Sequence, residues 1–250
     1  MTPRVRRIVF LVAGAAFGAV LLAGFADLPP FGHYSGVYGE MLNRIAVSER
    51  HATDVVTAVN FDYRAFDTLG EEFILFAAVL GVAVLLRQLR GEHERARSQA
   101  ADEHHFPGTS SAIRALGLVL VGPTLVLGLY TVAHGTITPG GGFQGGIVLA
   151  AALLTAFLAG EYLALRRVAP HALVEVAEAG GAAGFALVGI GGLVFAGTFF
   201  HNFLPLGTPG TLLSGGTMPI SNIAVAIEVA GACVLLWTEF LDQAIVIGGE

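Results

Sequence analysis

Apolar residues run in six long blocks, roughly 8–26, 69–87, 113–134, 143–165, 177–200 and 220–241, separated by polar or glycine-rich breaks. Each is long enough for the about 20 apolar residues that carry a helix across a bilayer. The pattern predicts an all-α membrane protein with six transmembrane helices, and an even number of spans places both termini on one side. The first block follows Arg4, Arg6 and Arg7. Its length exceeds the about 7–15 apolar residues of a signal peptide, so it reads as a retained anchor.

Arginine placement predicts the orientation, because basic residues collect in short cytoplasmic loops. Arg4, Arg6 and Arg7 precede the first span, Arg87, Arg90, Arg95, Arg97 and Arg114 flank the second loop, and Arg166 and Arg167 follow the fourth span. Only Arg44, Arg50 and Arg64 fall opposite, and the loops at 135–142 and 201–219 contain no basic residue. Both termini are therefore expected in the cytoplasm. The hydrophilic segment 88–111 separates two unlike parts: 1–100, with two spans and a long outer segment at 27–68, and 110–250, with four closely spaced spans.

Composition narrows the function. Of 250 residues 54% are hydrophobic and 13% charged, and the mean hydropathy is +0.72, outside the range of water-soluble domains. The single cysteine, Cys233, has no partner for an internal disulfide or a cysteine metal cluster. The net charge of −6 comes with no basic, aromatic-rich surface for nucleic acid. All thirteen basic residues are arginine, which stays protonated, so a lysine proton relay within this chain is excluded. No cofactor is expected. His134 and His201 close two helix ends beside glycine-rich turns, but two histidines are too few for a metal site, and packing is their expected role; His104 and His105 belong to the solvated linker.

The segment 135–146 holds six glycines and Pro139 between two spans. A helix does not continue through such a run, and backbone groups there need protein or water, since lipid satisfies none of them. The string Thr138, Pro139, Gly140, Gly141, Gly142, Phe143, Gln144, Gly145, Gly146 resembles the signature of the MnhB/MrpB proteins of Mrp-type sodium/proton antiporters. A second turn supports it, running from Leu206 through Pro209, Met218 and Pro219 to Asn222 and leading into a helix with Glu228. This resemblance covers about 110–250. Both turns are expected to be shaped backbone contacts at a subunit seam.

The first part resembles another segment. Glu49 to Glu71, with an intact core Phe66-Asp-Thr-Leu-Gly-Glu71, is similar to the C-terminal region of the large antiporter A-type protein and to the E-type protein of membrane-bound hydrogenases. Asn60 and the stretch Asp62 to Ala65 depart from that pattern. The resemblance implies two pieces that neighbour each other in an assembly, joined here in one chain.

Carboxylates within a membrane are costly and mark function by default. Glu228 is expected about 12 Å into the sixth span, near the midplane. Glu71 and Glu72 are expected in the first turn of the second span, where the helix dipole favours an anion; capping accounts for Glu72, whereas the resemblance links Glu71 to ion translocation. Glu71, Glu228 and Asp67 are thus the ion-path candidates. Glu161, Glu178 and Glu239 read as helix-end residues, solvated or paired with Arg166 and Arg167. Pro123 is expected to kink the third span, and the glycines at 180–181, 184 and 191–192 to give the fifth a close-packing face.

The resemblance implies a subunit of the cell (inner) membrane, not an enzyme, that works beside antiporter subunits of the A, C, D, E, F and G types in a complex that spends a proton gradient to extrude sodium. The rivals are an ion-translocating subunit of a hydrogenase-type respiratory complex and a purely structural interface subunit.

Overall fold

A computed structural model describes residues 3–28, 32, 36–86 and 110–248, with the side chains at 3, 6, 161–163 and 244–248 outside that description. Arg87, Arg90, Arg95, Arg97, His104 and His105 also lie outside the described residues. The described residues are helical, without strands, and six helices have the length and apolarity to cross a membrane.

Residues up to Glu40 form one compact unit and Met41–Glu250 another. The first holds α1, Pro3–Ala26, apolar on every side. Its neighbour in sequence, α2 (Val37–Arg50), is a surface helix that buries only Leu42 and Ala46.

In the larger unit Asp54 caps a single turn, α3 (Val55–Ala58), by accepting from the Thr57 N–H. A π-helical turn follows at Val59–Tyr63, a form that widens the helix by one residue and is frequent at functional sites. Arg64 breaks it with φ −134°, and α4 runs from Ala65 to Leu85. The Phe66–Glu71 core therefore lies inside a helix. Hydropathy alone delays the start of this span, because Asp67, Thr68 and Gly70 dilute its apolar signal.

Four helices complete the unit: α5 (Ser111–Ala133), α6 (Gly142–Val168), α7 (His171–Ala196) and α8 (Met218–Gly248). Ser110 caps α5 by accepting from the Ile113 N–H, and α5 passes through Pro123 as one continuous helix. Pro170 and Gly197 bound α7, the latter in the left-handed conformation that only glycine adopts without strain. The fifth span thus begins at His171, six residues earlier than hydropathy suggests, because His171 and Glu175 dilute the apolar signal of its first turns.

The helix α8 is the central post, with 61% of its most apolar window buried against 28% or less for the others. It packs on α4, α6 and α7, while α5 packs chiefly on α6. Phe61 from the π-turn, Phe185 of α7, and Phe200, Met218, Val225 and Val229 share one core. Phe61 meets Phe185 edge to face at 5.7 Å. The segment 41–85 is thereby packed directly against the four-helix part.

Candidate functional site

The glycine-rich turn is built into the chain's own core. Gly141 has φ +116°, a conformation that strains any residue with a Cβ. A Cβ there would also stand 2.8 Å from Asn222 Oδ1. That oxygen accepts a hydrogen bond from the Gly142 N–H at 2.8 Å. One turn on, Cβ atoms at Gly142 and Gly146 would fall 2.6 and 2.8 Å from the Cβ atoms of Val225 and Val229. These two glycines thus let α6 lie directly on α8. Gly145 serves the other neighbour, since a Cβ there would collide with Val132 of α5.

The turn is also tied to the first part of the sequence. The Thr136 carbonyl accepts from the N–H groups of Thr53 and Asp54 at 3.0 and 3.2 Å, and the Thr53 hydroxyl donates to the Ile137 carbonyl at 2.6 Å. The second turn is held likewise. Asn202 Nδ2 donates to Asp62 at 3.0 Å and to the Gly215 carbonyl at 2.9 Å, and Arg50 Nε bonds the other Asp62 oxygen at 2.6 Å. A polar cavity of about 430 Å³ opens among Arg50, Asp62, Tyr63, His201 and Asn202. Tyr63 donates to Glu49 at 3.0 Å, and burial together with that carboxylate pushes its phenol up to about 12.

Beneath this seam lie three buried carboxylates. Glu72 of α4 is 1% exposed, Glu228 of α8 0% and Glu178 of α7 5%. Glu72 approaches Glu228 directly, and Glu178 stands within electrostatic reach of Glu228. Both oxygens of Glu72, both of Glu228 and Oε1 of Glu178 are buried without a hydrogen bond of proper geometry to any described group. The ion pairs of Arg50, Arg64 and Arg166 lead to other carboxylates, Asp62, Asp67 and Asp242.

Two glycines create the crowding. A Cβ at Gly181 of α7 would strike the backbone of Glu228, and one at Gly231 of α8 would lie 2.7 Å from the Glu178 N. Each glutamate therefore rests on a glycine of the opposite helix. At such a site two negative charges about 4 Å apart repel by about 4 kcal/mol even at an effective dielectric constant of about 20. The cluster consequently needs a proton or a cation to neutralise part of its charge.

Several sequence expectations are corrected here. Glu71 and Glu72 are not in a first turn: they stand six and seven residues beyond Ala65, about 9 and 10 Å along α4. Capping does not account for Glu72, which points into the core, while Glu71 is exposed. Asp67 occupies the first turn and is exposed, paired with Arg64 at 2.6 Å. Glu178 is not a helix-end residue but lies about 10 Å into α7 and is buried. Glu239 is not at a helix end either, since α8 runs on to Gly248; it is buried, and its partner is His171 at 3.0 Å, while Arg166 pairs with Asp242. Glu228 is fully buried, ten residues beyond Met218, or about 15 Å along α8.

Of the turn residues, Gly141, Gly142, Gly145, Gly146 and Asn222 are buried within the chain, Gly140, Phe143 and Pro219 are half-buried, and Thr138, Pro139, Gln144 and Pro209 are exposed. The signal for Glu178 that hydropathy misses is its spacing from His171 and Glu175, which places all three on one side of a helix.

Comparison with known proteins bears on both parts. Residues 112–235 match the domain related to the MnhB subunit of Na+/H+ antiporters, and residues 6–103 match the E-type component of MBH. An uncharacterised protein of Methanocaldococcus jannaschii is 31% identical over 75% of this chain and 77% of its own length. The A/B component of a probable K+/H+ antiporter of Rhizobium meliloti is 30% identical over 63% of this chain, which spans 17% of that protein. A chain of the membrane-bound sulfane sulfur reductase, an archaeal respiratory membrane complex, superposes with a TM-score of 0.70 at 29% identity, covering 95% of this chain and 98% of that one. A chain of the Mrp complex from Dietzia shares the fold, with a TM-score of 0.66 at 24% identity over 96% of this chain and 26% of that one. The Glu72–Glu228 contact therefore joins the two matched regions, and the chain, a multi-pass membrane protein, belongs to the MnhB-related family of antiporter-type subunits.

Proposed function

We propose that this chain is a membrane subunit of a multisubunit monovalent cation/proton antiporter, in which the Glu72–Glu228–Glu178 cluster carries protons or the exchanged cation. The observation that carries this reading is a set of buried carboxylate oxygens, drawn from three helices, that make no hydrogen bond of proper geometry to any described group. Lipid or a sealed apolar core penalises such groups heavily; a transported proton or cation relieves the penalty each time it occupies the site. No covalent reaction is assigned to the chain.

The division into an E-like or A-terminal part at 1–100 and an MnhB-like part at 110–250 fits a fusion of two pieces that share one ion site. Sodium is the proposed cation and the inner membrane the proposed location, with both termini cytoplasmic. Further antiporter subunits of the A, C, D, E, F and G types are the proposed partners. Thr138, Pro139, Gln144 and Pro209 are exposed and available to those partners. Glu71, on the exposed side of α4, is assigned to the approach to the cluster from a neighbouring protein of the complex, with Asp67 and Arg64 beside it.

A second reading, an ion-moving component of a respiratory membrane complex, is favoured by the near full-length correspondence with the sulfane sulfur reductase chain. The composition of the purified native complex separates the two: iron–sulfur partners support the respiratory reading, and antiporter proteins alone support the first. The site is tested in vesicles carrying the whole complex, by cation-dependent collapse of a pH gradient. Glu72→Gln and Glu228→Gln should each lower exchange at least tenfold with assembly intact. Wild-type exchange in both would reject the cluster as the site and leave a purely structural role.

A further inference from the structure

A second group of ionisable side chains gathers where α6 turns into α7. His171 lies with Nε2 3.0 Å from Glu239 Oε1 and Nδ1 3.6 Å from Glu175 Oε1, while Arg166 of α6 pairs with Asp242 of α8. Three helices supply this group, and Glu239 and Asp242 are 9% and 2% exposed.

Placement along the helices sets these residues apart. The charged or titratable side chains of α7 are His171, Glu175 and Glu178; on α8 the carboxylates are Glu228, Glu239 and Asp242. At about 100° per residue, each set of three falls within about 60° of arc. Two otherwise apolar helices thus turn these groups along one line each, and the lines meet where Gly181 seats Glu228 and Gly231 seats Glu178. Pairing with Glu239 and Asp242 accounts for His171 and Arg166 at the helix ends. It does not explain Glu178, buried two turns inside with Oε1 lacking a hydrogen-bond partner.

We propose that His171, Glu175 and Glu239 form a proton port that connects the buried carboxylate cluster with the aqueous phase at the α6–α7 turn, with Glu178 as the link. This rests on the cluster being the ion site. From Glu178 the steps to Glu175 and then to His171 rise about 4.5 and 6 Å along α7, spans that side-chain motion or one water bridges. A proton leaving the Glu178 carboxyl goes to the Glu175 carboxylate and then to Nδ1 of His171. The imidazolium so formed gives up its Nε2 proton through Glu239 to water at the turn, which leaves the Nδ1–H tautomer, and a flip of the ring or proton exchange with water restores the Nε2–H form for the next passage. Histidine suits this step because both of its nitrogens carry protons in turn near neutral pH. The charged groups facing it are Glu175 from its own helix, Glu239 and Asp242 from α8, and Arg166 from α6.

The test uses the whole complex in vesicles, following exchange at low and high concentrations of a small imidazole buffer. His171→Gln and Glu178→Gln are each expected to slow exchange about tenfold at low buffer. Raising the buffer should restore His171→Gln, because a mobile base replaces the lost port, and leave Glu228→Gln inactive. Wild-type rates in His171→Gln and Glu178→Gln beside an inactive Glu228→Gln would overturn the port and leave the ion site standing. Wild-type exchange in Glu228→Gln would overturn the site itself. Should His171→Gln fail to assemble, Glu175→Gln, altered at an exposed side chain, decides: slowed exchange with buffer rescue supports the port, and an unchanged rate overturns it.

Discussion

Replacing Gly181 by alanine tests whether the glutamates are held together by glycine seats or merely happen to lie near each other. The added Cβ would stand 2.6 Å from the Glu228 Cβ and 2.7 Å from the Ala224 carbonyl oxygen, where ordinary contact is 3.4–4 Å. The helices α7 and α8 must therefore part by about 1 Å, and overpacking of this kind costs about 1–3 kcal/mol. Alanine returns up to about 1 kcal/mol through its better helix propensity, so the net loss is about 1 kcal/mol. Gly180 supplies the control: it is the adjacent residue of the same helix, and a Cβ there meets nothing within 4 Å. Gly180→Ala should show only the propensity gain. The single cysteine, Cys233, is half-buried on α8 and packs against the core that holds Ala224, Val225 and Val229, and it reports opening by its rate of modification with a maleimide in membranes. A net loss of about 1 kcal/mol raises the opened fraction, and so the labelling rate, about fivefold in Gly181→Ala. The rate should fall or stay constant in Gly180→Ala. Equal labelling of the two variants would refute the seat, whatever the exchange activity shows.

Asn222→Ala removes the acceptor of a buried Gly142 N–H, which costs about 1–3 kcal/mol, whereas Asn222→Asp keeps an oxygen for that bond; Cys233 labelling should rise clearly in the first and less in the second. Tyr63 holds its proton well beyond the usual 10.0 because burial and Glu49 raise it to about 12. The folded-state value is the higher one, so the Tyr63–Glu49 contribution is whole below about pH 10 and is lost as pH rises through about 12. Absorbance titration of the phenols should lose its most alkaline component in Tyr63→Phe, and an unaltered curve would contradict the assignment. Gly141→Ala, at φ +116° and against Asn222, should destabilise by about 2 kcal/mol or more. Gly122→Ala, in open space on α5, should not, as measured by the same labelling assay.

The six spans were legible because a membrane demands unbroken apolar length, a property that sequence carries without reference to neighbours. The motif glycines were legible as a place where helices or chains meet, since a run such as Gly140 to Gly142 makes sense only where something approaches the backbone. What they meet was not. Their partners, Asn222, Val225 and Val229, lie some 80 residues away, and the expected seam between subunits is in large part a seam within this chain. The ion-site candidates divide in the same way. Glu228 stood out by depth alone, whereas Glu71 and Glu72 are adjacent in sequence, and a turn of about 100° decides which of them enters the core. That turn is set by the π-helical residues before Ala65 and by the packing of α4 on α8, and Glu178 joins the cluster only because Gly231 lets its helix come close. Hydropathy is a property of each segment, but the meeting of three carboxylates depends on the rotation and separation of helices, and tertiary packing alone determines those.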